Sequence, residues 1–165
     1  AALAWALSLT PPVTMGGYRQ FAPVWLVDAH RQVIWQFALD RFAERPLTGW
    51  GLGVISSVAG AGNNIPELVG AEFIPSHTHN WIIHILSEAG LVGALPLIAV
   101  VLAVPVLLAR RWGRDGDPAL LVGLCLWVTY WAANLFNFSL WNTWWQGSLI
   151  VLIALIVPKS RRPQS

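Results

Sequence analysis

The chain has 165 residues, 56% of them hydrophobic and only 11% charged, with a net charge of +2 and a mean hydropathy of +0.57. A soluble domain carries roughly 25% charged residues, so this composition excludes an ordinary soluble globule and predicts a membrane protein. The basic residues cluster beside apolar runs with no interleaved aromatic stripe, so the basic pI reports topology and excludes nucleic acid as a partner.

Residues 1–9 are apolar, with no initiator Met, no basic n-region and no cleavage site, and they are expected to be the remnant of a truncated transmembrane helix rather than a signal peptide. The chain is then expected to be the C-terminal part of something larger. Residues 10–80 follow as a more polar segment. Within it, Asp28 can cap a helix that runs to Arg45, because Pro46 removes a backbone donor and pushes the residue before it out of helical geometry. At 100° per residue Ile34, Trp35, Ala38, Leu39 and Phe42 form one apolar stripe, with Gln36, Asp40 and Glu44 opposite. Arg31 falls in the middle of that stripe. Two readings stand: a planar fork held for phosphate oxygens, or a guanidinium that snorkels to headgroups or pairs with a local carboxylate such as Asp28. Arg41 and Arg45 lie nearer the edge and are expected to be solvated or to face headgroups.

The stretch Pro46-Leu47-Thr48-Gly49-Trp50-Gly51-Leu52-Gly53 reads as a tight turn whose glycines permit close backbone approach. It lacks the GxxxxGK[ST] and dinucleotide patterns, so no nucleotide site is expected. Residues 54–76 show little periodicity, and a loop of that length is functional or mobile, here a lid over a lipid-linked substrate. Ser76-His77-Thr78-His79-Asn80 then leads into a helix with Thr78 or Asn80 as its cap. Asn80, His84 and Glu88 recur every four residues, a polar line at the outer mouth of an apolar run, and ionisable groups at membrane depth usually face a cavity or the bundle interior. His77, His79, His84 and Glu88 are also zinc-ligand types, but their spacing is not compact and no HExxH occurs, so no metal is expected. His84 as a structural residue and His79 as a simple interfacial histidine are the plain alternatives.

The apolar run from residue 81 to 109 contains a first crossing at 91–109. Residues 119–135 give a second, and residues 137–157 a third if their tryptophans are counted, against the roughly 20 residues a bilayer requires. Arg110, Arg111 and Arg114 follow the first crossing and Lys159, Arg161 and Arg162 the last, which places both clusters on the cytoplasmic side. Residues 10–80 and a turn at 137–145 then lie on the other side, with Trp141, Trp144 and Trp145 as an interfacial aromatic belt. Cys125 is the sole cysteine, which excludes an internal disulfide, and inside an apolar run it is expected to be packing.

Arg31-x3-Trp35, then Pro46-Leu47-x-Gly49-x-Gly51-x-Gly53, then His79-Asn80, then Glu88-x-Gly90-Leu91-x-Gly93 together resemble the bacterial O-antigen ligase and O-antigen polymerase superfamily over about residues 29–106. The resemblance implies an all-α polytopic transmembrane bundle, similar to the C-type glycosyltransferase fold, in the bacterial inner membrane. Its periplasmic helical and loop segment (10–80, with the amphipathic helix near 28–45) would precede three transmembrane helices and a basic cytoplasmic tail (81–165). It implies transfer of a glycan from an undecaprenyl diphosphate carrier to an acceptor hydroxyl on the periplasmic side, without nucleotide sugar, cofactor or required metal. Arg31 would hold the donor diphosphate, and His79 would be the general base on the acceptor hydroxyl. Asn80 would orient His79 or cap its helix, with Trp35, Gly49, Gly51 and Glu88 in support. Glu88 and Gly90 also match positions of the family's pattern.

The chain departs from the family in starting after many crossings and after an upstream arginine for the carrier phosphates, so activity of this fragment alone is not expected. His84 stands where a neutral polar residue is more usual, and His77 is an addition. The acceptor is read as lipid A-core, making the protein a ligase. A polymerase with a glycan acceptor is the alternative, and a non-catalytic polysaccharide transport component is a third reading, disfavoured because no charged residue lies inside the crossings to mark a solute path.

Overall fold

The computed structural model describes residues 14–137 and 139–156, so the predicted remnant at 1–9 and the cluster Lys159, Arg161 and Arg162 lie outside the described residues. Helix α1 (Ala29–Glu44) starts where expected: the Asp28 side chain accepts from the Arg31 N–H at 2.9 Å. It stops at Arg45, whose N–H returns to the Phe42 carbonyl just before Pro46.

The buried face of α1 differs from the predicted stripe. It comprises Gln32, Val33, Ile34, Trp35, Phe37 and Ala38, while Leu39 is exposed. The reason is that α1 packs against irregular chain on its flanks as well as against another helix. A short hairpin of β1 (Thr14–Met15) and β2 (Tyr18–Arg19) leads into residues 21–27, which the Gln32 amide fastens to the helix. Its Oε1 accepts from the Phe21 and Ala22 N–H groups, and its Nε2 donates to the Ala22 and Val27 carbonyls. A buried glutamine amide with all four bonds made is not penalised for burial, which is why a polar residue can sit in this core.

Residues 54–76 supply the rest of that core. Ile55, Val58, Ala61 and Ile74 are buried with Ile34, Phe37 and Ala38, and Tyr18 and Phe73 close the edge. Backbone bonds such as Phe73 N–H to Asn63 O and Ile74 N–H to Ala61 O cross-link the segment. The expected lid is therefore corrected: these residues are a packed support for α1, held by apolar side chains that follow no period.

Helix α2 (Trp81–Asp115) begins at Asn80, whose side chain accepts from the Ile82 and Ile83 N–H groups, and ends on Gly116. The expected continuous run is broken at Gly90 (φ 60°, ψ −163°). In an unbroken helix Trp81 and Val101 would stand about 30 Å apart at 1.5 Å per residue. Here the Trp81 ring lies 4.8 Å from that of Trp131, and Trp127, one turn earlier on the next helix, bonds the Val101 carbonyl. Residues 81–89 therefore bend back toward residues 91–101, and Trp81, Ile85, Ala94 and Val101 share one buried cluster.

Helix α3 (Pro118–Ala133) starts at Asp117, whose side chain accepts from the Ala119 N–H. Pro105 has no N–H for the Val101 carbonyl, and the Trp127 indole of α3 supplies that donor at 3.0 Å. Helix α4 (Thr143–Ile156) begins within the predicted outer turn, so Trp144 and Trp145 stand in its first turn and only Trp141 lies before it.

Among the described residues α2 alone is long and apolar enough to cross a membrane. Past Gly90 it still runs about 37 Å, enough for the roughly 30 Å hydrocarbon core. At 16 residues α3 reaches only about 24 Å, so the described residues form a helical body with one such helix, and a full polytopic bundle is not seen among them. The outer faces of all three helices are apolar, with Leu95, Leu102, Val122, Ile150 and Leu155 exposed. Cys125 is exposed on α3 and does not pack internally, which corrects its expected role.

Candidate active site

The glycine turn exists to fill the break in α2. Trp50 and Gly51 donate N–H bonds to the Ser87 and Glu88 carbonyls, and the Leu91 and Val92 N–H groups are taken by the Pro46 and Leu47 carbonyls. A helix interrupted at Gly90 leaves backbone donors and acceptors without partners, and the turn satisfies both sets. The approach is backbone to backbone. A Cβ on Gly49 would stand 2.3 Å from the Glu88 carbonyl carbon, and one on Gly90 2.4 Å from that of Leu47. Glu88, buried, completes the joint by accepting from the Gly53 and Ile55 N–H groups at 2.8 and 3.1 Å. The expected polar line thus ends in a structural junction: Glu88 and His84 are turned into the core, with His84 Nε2 3.3 Å from Glu88.

His79 is held in a conformation it would not choose. Its φ is +54°, in the left-handed region where a residue with a Cβ is strained by roughly 1–2 kcal/mol. Its neighbours fix it there. The Thr78 carbonyl accepts from the Trp35 indole at 2.8 Å, the Thr78 hydroxyl donates to the Asn80 carbonyl, and Asn80 is committed to capping α2. Of the two roles expected for Asn80, the structure shows the cap.

The ring of His79 is half-buried, and its Nδ1 lies 3.0 Å from the Asn137 carbonyl oxygen. A carbonyl can only accept, so Nδ1 carries the proton and Nε2 keeps its lone pair. Nε2 has no hydrogen-bond partner among the described residues. Burial and the positive charge of Arg31 lower the pKa below the ordinary 6.5, outweighing the Asn137 carbonyl and Asp28, which act the other way. The ring is therefore neutral at pH 7.

Arg31 is the second group brought to this place. Its Nε pairs with Asp28 at 3.1 Å, so the local-carboxylate reading holds for one nitrogen of the guanidinium, while its two terminal nitrogens make no hydrogen bond among the described residues. Asp28 thus caps α1 and aims the arginine. Arg41 is corrected: instead of being solvated it pairs with Glu44 at 2.6 Å and lies over the Phe37 ring, and Arg45 stacks on Trp50 at 4.1 Å.

His77 donates from Nε2 to the same Asn137 carbonyl at 3.0 Å, and its Nδ1 accepts from the Ser76 hydroxyl. Its ring centroid lies 4.1 Å from that of His79. Burial, first, lowers its pKa too. Unlike His79, it has both ring nitrogens engaged. The element that sequence reasoning missed is Asn137: a main-chain oxygen has no side-chain signature. Among the described residues no three His, Cys, Asp or Glu side chains are grouped as a metal site would require.

Residues 28–98 match the family model described as O-Antigen ligase. A Rickettsia conorii protein named "Putative polysaccharide ligase" is 29% identical over 75 residues, covering 44% of this chain and 18% of that protein. The chain therefore spans less than a fifth of the length of that relative. No solved structure matches it. The resemblance read from Arg31, the glycine turn, His79-Asn80 and Glu88-x-Gly90 is shown over the matched segment, which takes in all of these residues.

Proposed function

We propose that this chain carries the acceptor-activating half of an O-antigen ligase, in which His79 and Arg31 move a glycan from undecaprenyl diphosphate to a hydroxyl of lipid A-core. The observation that carries the reading is a neutral histidine with a free Nε2 lone pair close enough to a half-free guanidinium to feel its charge. His79 Nε2 takes the proton of the acceptor hydroxyl as its oxygen attacks the anomeric carbon of the donor sugar. The bond from that carbon to the diphosphate oxygen breaks, and undecaprenyl diphosphate leaves with the electron pair. Arg31 meets the charge that grows on the leaving group, and the proton on His79 then passes to water. The protein would be multi-pass in the bacterial inner membrane, with this site facing the periplasm.

Arg31→Lys tests the donor side. A point ammonium keeps the charge beside Asp28 but loses the parallel bonds of the fork, so transfer from an undecaprenyl-diphosphate-linked glycan is expected to fall roughly 10²-fold. Arg41→Lys, which keeps a cation for Glu44, should cost far less. Equal losses at equal protein abundance would show that the wrong arginine has been given the diphosphate.

The orientation is tested separately. In a Cys125→Ser background, single cysteines at Gly62 and Arg114 of the full-length protein should react with a membrane-impermeant reagent from opposite sides, Gly62 from the periplasm. The reverse accessibility would place His79 away from any periplasmic acceptor and end the proposal.

A further inference from the structure

The turn formed by residues 134–137 and 139–142 is fastened to the first part of α2 at three points. Trp81 N–H donates to the Asn134 carbonyl at 3.1 Å, Leu140 N–H donates to His84 Nδ1 at 3.4 Å, and the Trp141 indole donates to Glu88. Between those points the same turn presents the Asn137 carbonyl to His77 and His79. Because His84 Nδ1 accepts from a backbone N–H, its proton sits on Nε2, which donates to Glu88 Oε1 at 3.3 Å. Buried and with both nitrogens engaged, His84 has no free nitrogen to offer a substrate.

We propose that His84, backed by Glu88, is a positioning residue for His79: it pins the turn whose Asn137 carbonyl selects the Nδ1–H tautomer and so leaves Nε2 to receive the proton. The inference rests on the reading of His79 as the base. It explains why an imidazole stands here. One neutral ring accepts from a main-chain N–H on one edge and donates to a buried carboxylate on the other, which neither an aliphatic nor a cationic side chain can do. It also carries the site beyond residues 28–98, since Asn137, Leu140 and Trp141 all lie past the matched segment.

The test uses NMR of isotope-labelled histidine in the full-length protein, with His79 assigned by its absence in His79→Gln, alongside the pH profile of transfer. The groups that face His79 and are left in place are Arg31 and His30 of α1, the α1 cap Asp28, and the neighbouring His77. Wild type should show one tautomer, protonated at Nδ1. His84→Leu, which removes the acceptor, should mix the tautomers, lower kcat roughly tenfold or more with less change in KM, and move the acid limb of the profile. His84→Asn, whose Oδ1 can still accept from Leu140, should restore the single tautomer and most of kcat. An unchanged His79 tautomer and acid limb in His84→Leu would overturn the proposal, as would equal impairment of the Leu and Asn variants. Mixed tautomers with undiminished transfer would instead remove His79 as the base while upholding the pin.

Discussion

His79→Gln is expected to reduce glycan transfer by roughly 10² to 10⁴-fold while the protein still inserts and accumulates, because general base catalysis is worth about that much. Glutamine can keep a bond to the Asn137 carbonyl but cannot take a proton at neutral pH. His79→Ala should be no worse by much, which separates proton acceptance from mere space-filling. His77→Gln is the internal control: its two ring nitrogens are already committed to Ser76 and Asn137, so its loss should be far smaller. A glutamine variant at position 79 with near-normal turnover would refute the base assignment.

The pH dependence follows from the direction of the shift. Burial and Arg31 hold the His79 pKa below 6.5, so the neutral, competent form persists into more acidic solution than for an ordinary histidine, and the acid limb of kcat/KM should fall below 6.5. Linkage has the same sign. The unfolded chain binds more protons in the window between the folded and unfolded values, so this histidine's contribution to stability is complete above 6.5 and declines as pH falls through the folded value. An acid limb at or above 6.5 would show that Arg31 and burial do not act on the working base.

Helix α1 was legible because its limits are written in local chemistry: Asp28 can satisfy the first turn, and Pro46 cannot continue the helix. His79 and Arg31 could be singled out as residue types in suggestive places, but their proximity depends on Trp35 bonding to the Thr78 carbonyl, a contact across 43 positions. The core formed by residues 54–76 was not legible, since its buried isoleucines follow the path of irregular chain and no repeat. Nor was the break in α2. A single glycine in an apolar run is compatible with unbroken helix, and what opens the helix at Gly90 is a turn some forty residues earlier that supplies the missing backbone partners. The two glycine motifs of the resemblance, Gly49-x-Gly51 and Glu88-x-Gly90, prove to be two sides of one joint.

That joint yields the other large effect. Gly90→Ala is expected to leave little folded protein, although position 90 touches neither His79 nor Arg31. Its φ of 60° with ψ of −163° belongs to backbone that only glycine adopts readily, a strain of roughly 1–3 kcal/mol for any other residue. The added methyl would also lie 2.4 Å from the Leu47 carbonyl carbon and 2.6 Å from the Thr48 nitrogen. These are main-chain atoms, which cannot rotate away as a side chain can, so the turn must withdraw. Withdrawal breaks the four bonds that join Pro46, Leu47, Trp50 and Gly51 to α2, each worth about 1 kcal/mol, and strips Glu88 of its Gly53 and Ile55 donors. Gly62→Ala is the matched control, an exposed glycine where a Cβ meets nothing within 4 Å. The measurement is the melting temperature and protease resistance of detergent-solubilised full-length protein. Gly62→Ala should match wild type, and a Gly90→Ala protein that did so too would mean that the glycine turn does not close the helix break.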